Sequence, residues 1–186
     1  MERKNTSKTH SFNECVDFYE SGKKAAMGYI SSHTYWHDPL RVAVSAARYK
    51  FVAKMFQGLE NVLELGCADA FYSQIVAQRV GHLVASDFDE LFINQARELG
   101  RADNMDLRVL DLTKEPCEGE FDGIYALDVL EHIAPQDEDA FMKNIVRALK
   151  KPSADTHKDT QASQVDFHTD SQTKCGGGGY SSVWHA

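Results

Sequence analysis

The stretch "NVLELGCADAFYS", residues 61–73, decides the fold of this chain. Its first five residues suit a buried strand, a turn of small residues follows, and the last residues suit the start of a helix. In α/β proteins, a strand that runs through such a turn into a helix is a common place for a cofactor. The rest of the sequence decides which ligand fits this turn.

Strands and helices alternate along the chain from residue 61 onward. This alternation predicts a doubly wound, Rossmann-like α/β fold with a parallel sheet and helices on both faces. Only four strands are recognisable, so we expect the sheet to be incomplete at its C-terminal end. The predicted strands are 61–65, 82–87, 106–112 and 121–130, and the predicted helices are 70–80, 89–99 and 136–150.

The N-terminal part predicts a disordered start over 1–13, a short helix over 14–30 and a loop, "SSHTYWHDP", over 31–39. Asp38 then suits the N-cap and Pro39 the first position of a helix that Gly58 ends. One side of this helix has apolar residues at helical spacing, which predicts its buried face: Val44, Ala47, Phe51, Val52, Met55 and Phe56. We therefore divide the chain into an N-terminal arm (1–37), a ligand-binding domain (38–150) and a tail (151–186).

The tail lacks a periodic apolar run and contains four consecutive glycines, a composition typical of disordered segments. A doubly wound domain should have a further apolar strand here. A frameshift or early truncation is one explanation, and a natural disordered tail is the alternative. In both cases, we expect strand 121–130 to form an exposed apolar edge.

The composition limits the function classes. The chain has 186 residues and a net charge of −8, which argues against a general affinity for nucleic acid or anionic membranes, although not against a local patch. No stretch approaches the roughly 20 apolar residues of a membrane span, and the polar N-terminus is not a secretory signal. Scattered cysteines predict free thiols in a cytoplasmic protein and no zinc site: Cys15, Cys67, Cys117 and Cys175.

Two ligand classes compete for the turn after strand 61–65. A dinucleotide-binding turn has the pattern G-x-G-x-x-G, in which the glycines allow close approach of the pyrophosphate and of the helix. Starting from Gly66, the next two positions of this pattern are Ala68 and Phe71. Phe71 is a poor substitute where the helix must pack closely. A nicotinamide-dependent oxidoreductase is therefore an alternative that the sequence disfavours.

The other class fits better. "ELGCADA" resembles the first motif, E/D-x-G-x-G-x-G, of the class I S-adenosylmethionine-dependent methyltransferases. "ASDFD", "LDL" at 110–112 and "FDGIYALDVLEHI" are similar to that family's second, third and fourth motifs, in the right order. The resemblance covers residues 40–150. It implies S-adenosylmethionine as the cofactor.

The resemblance also implies roles for residues of the first motif and before it. Glu64 matches the acidic position and Gly66 the first glycine, which with its neighbours packs against the methionine part of the cofactor. Ala68 and Ala70 stand where the family more often has glycine. Arg48 belongs to an "RY" pair that would bind the cofactor carboxylate.

The later motifs imply the remaining cofactor contacts. Asp87 would accept hydrogen bonds from the ribose hydroxyls, a task that suits a charged acceptor. Phe88 would lie against the adenine ring. Asp111 would accept from the adenine amino group near the backbone of Leu112, and Asp128 would lie near the methionine group. Asp87 and Asp111 could also simply cap the helices that follow their strands.

No catalytic residue is assigned from the sequence. His132 is a candidate general base, because histidine transfers protons near neutral pH, but we favour a structural role for it. Asp128, Glu131 and His132 do not make a convincing metal site. Tyr35, Trp36 and His37 would either line a substrate pocket or lie on an exposed loop.

The sequence thus predicts an S-adenosylmethionine-dependent methyltransferase. The acidic charge and the lack of an RNA-binding module favour a small-molecule acceptor, with no nucleic acid or membrane partner. A truncated, inactive cofactor-binding remnant is the alternative reading. The oligomeric state is not predicted.

Overall fold

The computed structural model describes residues 6–22, 24–151 and 181–185, the last by its backbone. Its sheet has five strands in the order β3-β2-β1-β4-β5. The strands are β1 Asn61–Leu65, β2 His82–Asp87, β3 Met105–Val109, β4 Gly123–Leu127 and β5 Ser181–His185. The helices are α1 Asn13–Glu20, α2 Tyr29–His37, α3 Pro39–Met55, α4 Ser73–Ala77, α5 Glu90–Leu99 and α6 Glu138–Ala148, with 3-10 turns at His10–Phe12 and Leu130–His132.

Strands β1 to β4 are parallel, and β1 lies between β2 and β4. The predicted doubly wound sheet is therefore confirmed, and all four predicted strands are present. The chain winds from β1 outward to β3 and then crosses to β4 on the other side. Ligands bind in such sheets at this switch point, outside the carboxyl ends of β1 and β4.

Each face of the sheet has its own hydrophobic core, since alternate residues of a strand point to opposite faces. Val62 packs in a cluster with residues of α3 and α4. Leu63 and Leu65 pack in a second cluster with Phe141 and Ile145 of α6. A third cluster contains Ile93 and Ala96 of α5. These cores fix the strand ends that surround the switch point.

The edge of β4 is not exposed in the way the sequence predicted. β5 pairs with β4 in an antiparallel register that sets the Cα of Ser181 opposite that of Leu127. That prediction was wrong because β5 follows a glycine run and has only two apolar residues, Val183 and Trp184, which are too few to form a periodic apolar run. Residues 152–180 lie outside the described residues, so the predicted disorder of the tail and its cause remain predictions, as do the domain limits.

The N-terminal arm differs from the prediction in two ways. The predicted helix over 14–30 is shorter, because α1 ends at Glu20. The predicted loop over 31–39 is wrong, since α2 runs from Tyr29 to His37. α3 begins at Pro39 as predicted, with Asp38 at the N-cap position, although the Asp38 side chain makes no capping hydrogen bond.

The predicted buried face of α3 was largely wrong. Val44, Phe51 and Met55 are exposed, as is Ala47. The face that enters the core consists of Tyr49, Val52, Ala53 and Phe56. Two stripes of apolar residues run along α3 at helical spacing, one exposed and one buried. Both stripes match the helical period equally well, so the period alone did not identify the buried one.

Helices α5 and α6 lie where the sequence predicted them. Asp89 caps α5 by accepting a hydrogen bond from the Leu91 N–H, and Gly100, which directly follows α5, has a φ of +70°. α4 runs from Ser73 to Ala77 and is shorter than the predicted 70–80. Residues 66–72 form a long loop with turns after β1. This loop borders the candidate site.

Candidate functional site

A cavity of about 690 Å³ lies at the carboxyl ends of the parallel strands. Loops after β1, β2, β3 and β4 line it, together with residues of α2 and α3. Of the predicted cofactor residues, all but Glu64 line this cavity: Arg48, Gly66, Ala68, Asp87, Phe88, Asp111, Leu112 and Asp128. The fold thus brings together residues that are up to 80 positions apart in the sequence.

The loop after β1 has an unusual backbone. Gly66 has a φ of +74°, and Ala68 and Ala70 have φ of +47° and +52°. A Cβ on Gly66 would lie 2.4 Å from Cγ2 of Val129, so only glycine fits at this position. Ala68 and Ala70 adopt the left-handed region despite their methyl groups, a conformation that favours glycine.

Asp87 connects the loop to the end of β2. Its carboxylate accepts hydrogen bonds from the Ala68 N–H and the Asp89 N–H, both at 2.9 Å. The N-cap of α5 is Asp89, so the interpretation of Asp87 as the cap of α5 was wrong. Asp87 is almost fully buried as a residue, yet it contributes to the cavity wall.

Asp111 is held by its own neighbours. Its carboxylate accepts from the Thr113 N–H at 3.0 Å and from the Thr113 hydroxyl, and it pairs with Lys114 Nζ at 2.7 Å. Burial raises the pKa of Asp111, but the contacts with Lys114 and Thr113 outweigh burial and lower it overall. The exposed ring of Phe88 and the buried Leu112 also line the cavity.

Arg48 and Asp128 form an ion pair across the cavity wall. The two guanidinium nitrogens of Arg48 each donate to one carboxylate oxygen of Asp128 at 2.6 Å. This pair connects α3 to the residue after β4, where Asp128 has a φ of +58°. Both residues were predicted to lie near the methionine part of the cofactor, and the structure places them against each other.

Glu64 does not line the cavity and lies buried beneath it. Its carboxyl accepts a hydrogen bond from the Tyr49 hydroxyl at 2.6 Å, which joins β1 to α3. Burial raises the pKa of Glu64 to about 7, and the hydroxyls of Ser73, Tyr49 and Tyr125 around it oppose the rise. Glu64 is therefore not part of the cavity wall, and its contact with the cofactor stays a prediction.

The remaining candidates divide between the cavity and the outer surface. His132 lies in the short 3-10 turn after β4 and lines the cavity. Trp36 is 80% exposed and packs edge-on against Tyr35, and neither residue lines the cavity. Within 6–22 and 24–151, no cluster of three or more histidine, cysteine, aspartate or glutamate side chains has metal-binding geometry.

Sequence reasoning missed Asp69, which is 2% exposed and lies between the two strained alanines. Its carboxylate binds Ser31 of α2, and its carbonyl oxygen accepts from Arg101. An acidic residue in the loop was visible in the sequence. The partners of this residue could not be predicted, because Ser31 belongs to a segment that was predicted to be a loop.

The comparisons with known proteins agree with this geometry. Residues 62–152 match the family described as "Methyltransferase domain". A search of curated proteins finds the ubiquinone biosynthesis O-methyltransferase of Idiomarina loihiensis, 26% identical over 156 residues, which are 78% of this chain and 61% of that protein. The chain therefore spans less than two thirds of the length of this relative.

Solved structures show the same fold. A DhpI complex described as "DhpI-SAM-HEP" has a TM-score of 0.54 and 20% identity, covering 78% of this chain and 64% of its own. The N-methyltransferase NodS of Bradyrhizobium japonicum has a TM-score of 0.51 and 18% identity. The match covers 61% of this chain and 65% of NodS. With the family match over residues 62–152 and the sheet order, these likenesses show the class I methyltransferase fold and confirm the predicted resemblance to the S-adenosylmethionine-dependent methyltransferases.

Across the described ranges, every helix is too short or too polar to cross a bilayer.

Proposed function

We propose that this protein transfers the methyl group of S-adenosylmethionine to a small-molecule acceptor. The observation that carries the proposal is Asp87, a carboxylate at the end of β2 that the Ala68 and Asp89 amides hold at the wall of a 690 Å³ cavity. This position suits an acceptor for the two ribose hydroxyls of a nucleoside. The cavity volume lies in the range of small-molecule sites.

The residues present fit this cofactor. The loop has no second or third glycine, so it is poorly suited to a pyrophosphate, which S-adenosylmethionine lacks. Asp87 would hold the ribose, and the exposed ring of Phe88 would cover the adenine beside Asp111 and Leu112. Gly66 and Ala68 would lie against the methionine part, with the Arg48–Asp128 pair at its polar end. Glu64 would act indirectly, by supporting the loop from below.

When bound, the cofactor supplies a methyl group activated by a positively charged sulfur. The protein's task is then to align an acceptor atom with that methyl and to keep water out. The apolar residues of the cavity wall serve the second task. His132 lines the cavity and would be the candidate base if the acceptor, such as a hydroxyl, must lose a proton.

The choice of a small-molecule acceptor rests on two observations. The matched relatives include an enzyme named for ubiquinone biosynthesis. The net charge of −8 disfavours polyanionic acceptors such as nucleic acids. The identity of the acceptor is outside this proposal.

Calorimetry with S-adenosylhomocysteine tests the cofactor, with NAD as the control ligand. We expect binding of S-adenosylhomocysteine and none of NAD, and Asp87→Asn should weaken the affinity more than about tenfold, because charged hydrogen bonds contribute 1.5–3 kcal/mol. Asp139→Asn is the matched control, since the Asp139 side chain is exposed and does not line the cavity. Equal affinity of both variants, or binding of NAD alone, would contradict the proposal.

Methyl transfer to a panel of small hydroxyl, amine and thiol acceptors then tests the activity. Turnover by the chain that Asp87→Asn reduces would support a working enzyme. Binding of S-adenosylhomocysteine without turnover on any acceptor would favour the alternative of a cofactor-binding remnant.

A further inference from the structure

We infer that Asp69 is a positioning residue that joins helix α2 of the N-terminal arm to the cofactor loop, so that arm and loop act as one unit in cofactor binding. This inference rests on the proposed function for its ligand. Its structural part rests on contacts within the chain.

The first observation is the way in which α2 begins. Gly28 stands at the N-cap and has no side chain to cap the helix. The Asp69 carboxylate takes that role from another part of the fold, accepting the Ser31 N–H at 2.8 Å and the Ser31 hydroxyl at 2.8 Å. A carboxylate at a helix N-terminus is also favoured by the helix dipole. The start of α2 therefore depends in part on the loop, while Gln95 of α5 accepts the Tyr29 N–H at 2.7 Å.

The second observation is the close approach of the two segments. A Cβ on Gly28 would lie 2.3 Å from Cβ of Asp69 and 2.7 Å from its Oδ2. Arg101 closes the other side, donating from Nη2 to the Asp69 carbonyl oxygen at 2.6 Å and from Nη1 to the Ala26 carbonyl oxygen at 3.5 Å. The backbone just before α2 thus packs directly on the loop.

The third observation links this contact to the cavity. Asp69 directly follows Ala68, whose N–H holds the Asp87 carboxylate. Asp69 also accepts the Phe71 N–H at 3.2 Å within the loop. On the arm side, Ile30 and Ser31 line the cavity. A displacement of α2 would therefore change both a wall of the cavity and the segment that orients Asp87.

Binding free energies of coupled sites are reciprocal. If cofactor binding requires the ordered loop, then it should stabilise the docked position of α2, and loss of docking should weaken cofactor binding. If Asp69 only stabilised the fold, the docking of α2 and the affinity for the cofactor would not change together. The link can be measured from the arm side without changing the loop.

Ser31→Ala removes one hydrogen bond from the arm and leaves the loop sequence intact. Gly28→Ala introduces the steric conflict from the same side, and Asp69→Ala removes the acceptor. Thr34→Ala is the matched control, because Thr34 lies on α2 and its hydroxyl bonds only to the Ile30 carbonyl in the contacts described. Each variant is measured by amide hydrogen exchange of residues 31–37 without ligand, and by calorimetry with S-adenosylhomocysteine.

We expect Ser31→Ala to speed exchange of α2 and to weaken binding about threefold to tenfold, the effect of one hydrogen bond. Gly28→Ala and Asp69→Ala should each weaken binding more than tenfold. Thr34→Ala should change the affinity by less than twofold. Protection of the β1 and β4 amides in each variant shows that the sheet still folds. In the wild-type chain, S-adenosylhomocysteine should slow exchange of α2.

Two results would overturn the inference. One is unchanged exchange of α2 in Ser31→Ala, Gly28→Ala and Asp69→Ala. The other is faster exchange with unchanged affinity, which would make the contact purely structural. Failure of the proposed function looks different, because the wild-type chain itself would then bind no S-adenosylhomocysteine, whereas the exchange of α2 without ligand would still report on the Asp69 contact.

Discussion

The left-handed residues of the loop after β1 decide how closely this loop approaches the end of β4. Position 66 requires glycine for two reasons. Its φ is +74°, and an added Cβ would lie 2.4 Å from Cγ2 of Val129. The sequence showed that Gly66 belongs to a cofactor motif. It could not show Val129 as the contact, because that residue follows another strand.

Gly66→Ala should lower the free energy of unfolding by about 2–4 kcal/mol, combining the left-handed backbone with overpacking, and should weaken binding of S-adenosylhomocysteine. Chemical denaturation and calorimetry measure the two effects. Gly58→Ala is the control, since Gly58 has a φ of +88° but open space around its Cβ position. Adding Val129→Ala to Gly66→Ala should restore part of the lost stability, and no restoration would contradict the steric argument.

Ala68→Gly and Ala70→Gly form a second, matched pair. Both relieve a left-handed alanine, worth about 1 kcal/mol, but Ala70 is fully buried and loses a packed methyl group, whereas Ala68 is half-buried at the cavity. We expect Ala68→Gly to be neutral to stabilising and Ala70→Gly to be the less stable of the two. Neither should weaken cofactor affinity. A large loss of affinity in Ala70→Gly would show that the loop does not hold the cofactor as proposed.

At the scale of elements, the cavity depends on how helices are attached to strand ends. α3 is attached at two neighbouring residues, through Tyr49 to Glu64 of β1 and through Arg48 to Asp128 after β4. The first bond is buried. The second lies at the cavity wall, where the Asp128 side chain is 45% exposed.

Arg48→Ala should therefore change the free energy of unfolding by less than about 1 kcal/mol, since partly exposed ion pairs contribute little. It should weaken binding of S-adenosylhomocysteine severalfold, because Asp128 loses the group that orients it. Arg48→Lys keeps the charge but not the two-point geometry, so we expect an intermediate affinity. A loss of more than 2 kcal/mol of stability with unchanged affinity would make the pair structural.

Elements with strong local signals were predicted well from the sequence. α5 has an acidic cap, a periodic apolar face and a terminal glycine, and its predicted bounds were nearly correct. α2 was missed because its start is capped by Asp69, which lies 38 residues away from Ser31. The buried face of α3 was misjudged because periodicity finds apolar stripes but does not say which of two stripes meets the sheet.

For the whole molecule, the parallel sheet was predicted because strands and helices alternate along the chain from residue 61 onward. β1 to β4 all lie in this alternating part of the chain. β5 does not, and its antiparallel pairing with β4 depends on a contact between segments more than fifty residues apart. Most predicted site residues line the cavity because they lie at or just after the carboxyl ends of strands. Glu64 does not, because its side chain is buried in the core, where it accepts a hydrogen bond from Tyr49.

The response of the whole fold to pH should depend on Glu64. Its pKa is raised to about 7 in the folded protein, chiefly by burial, whereas an unfolded chain has the ordinary value near 4.5. The folded state thus binds the proton more tightly. The stabilising contribution of this proton is fully present below about pH 4.5 and is lost as the pH rises toward 7, a change of about 3 kcal/mol.

Glu64→Gln removes this titration while keeping the size and shape of the side chain. In urea unfolding measured from pH 5 to pH 8, the wild-type stability should therefore fall relative to that of Glu64→Gln as the pH rises, and the difference should level off above pH 7. Tyr49→Phe is the control, because it removes the hydroxyl that donates to Glu64 but retains the carboxyl and hence the titration. Parallel pH profiles of wild type and Glu64→Gln would show that Glu64 is ionised in the folded core at acidic pH, with its charge compensated by the surrounding hydroxyls.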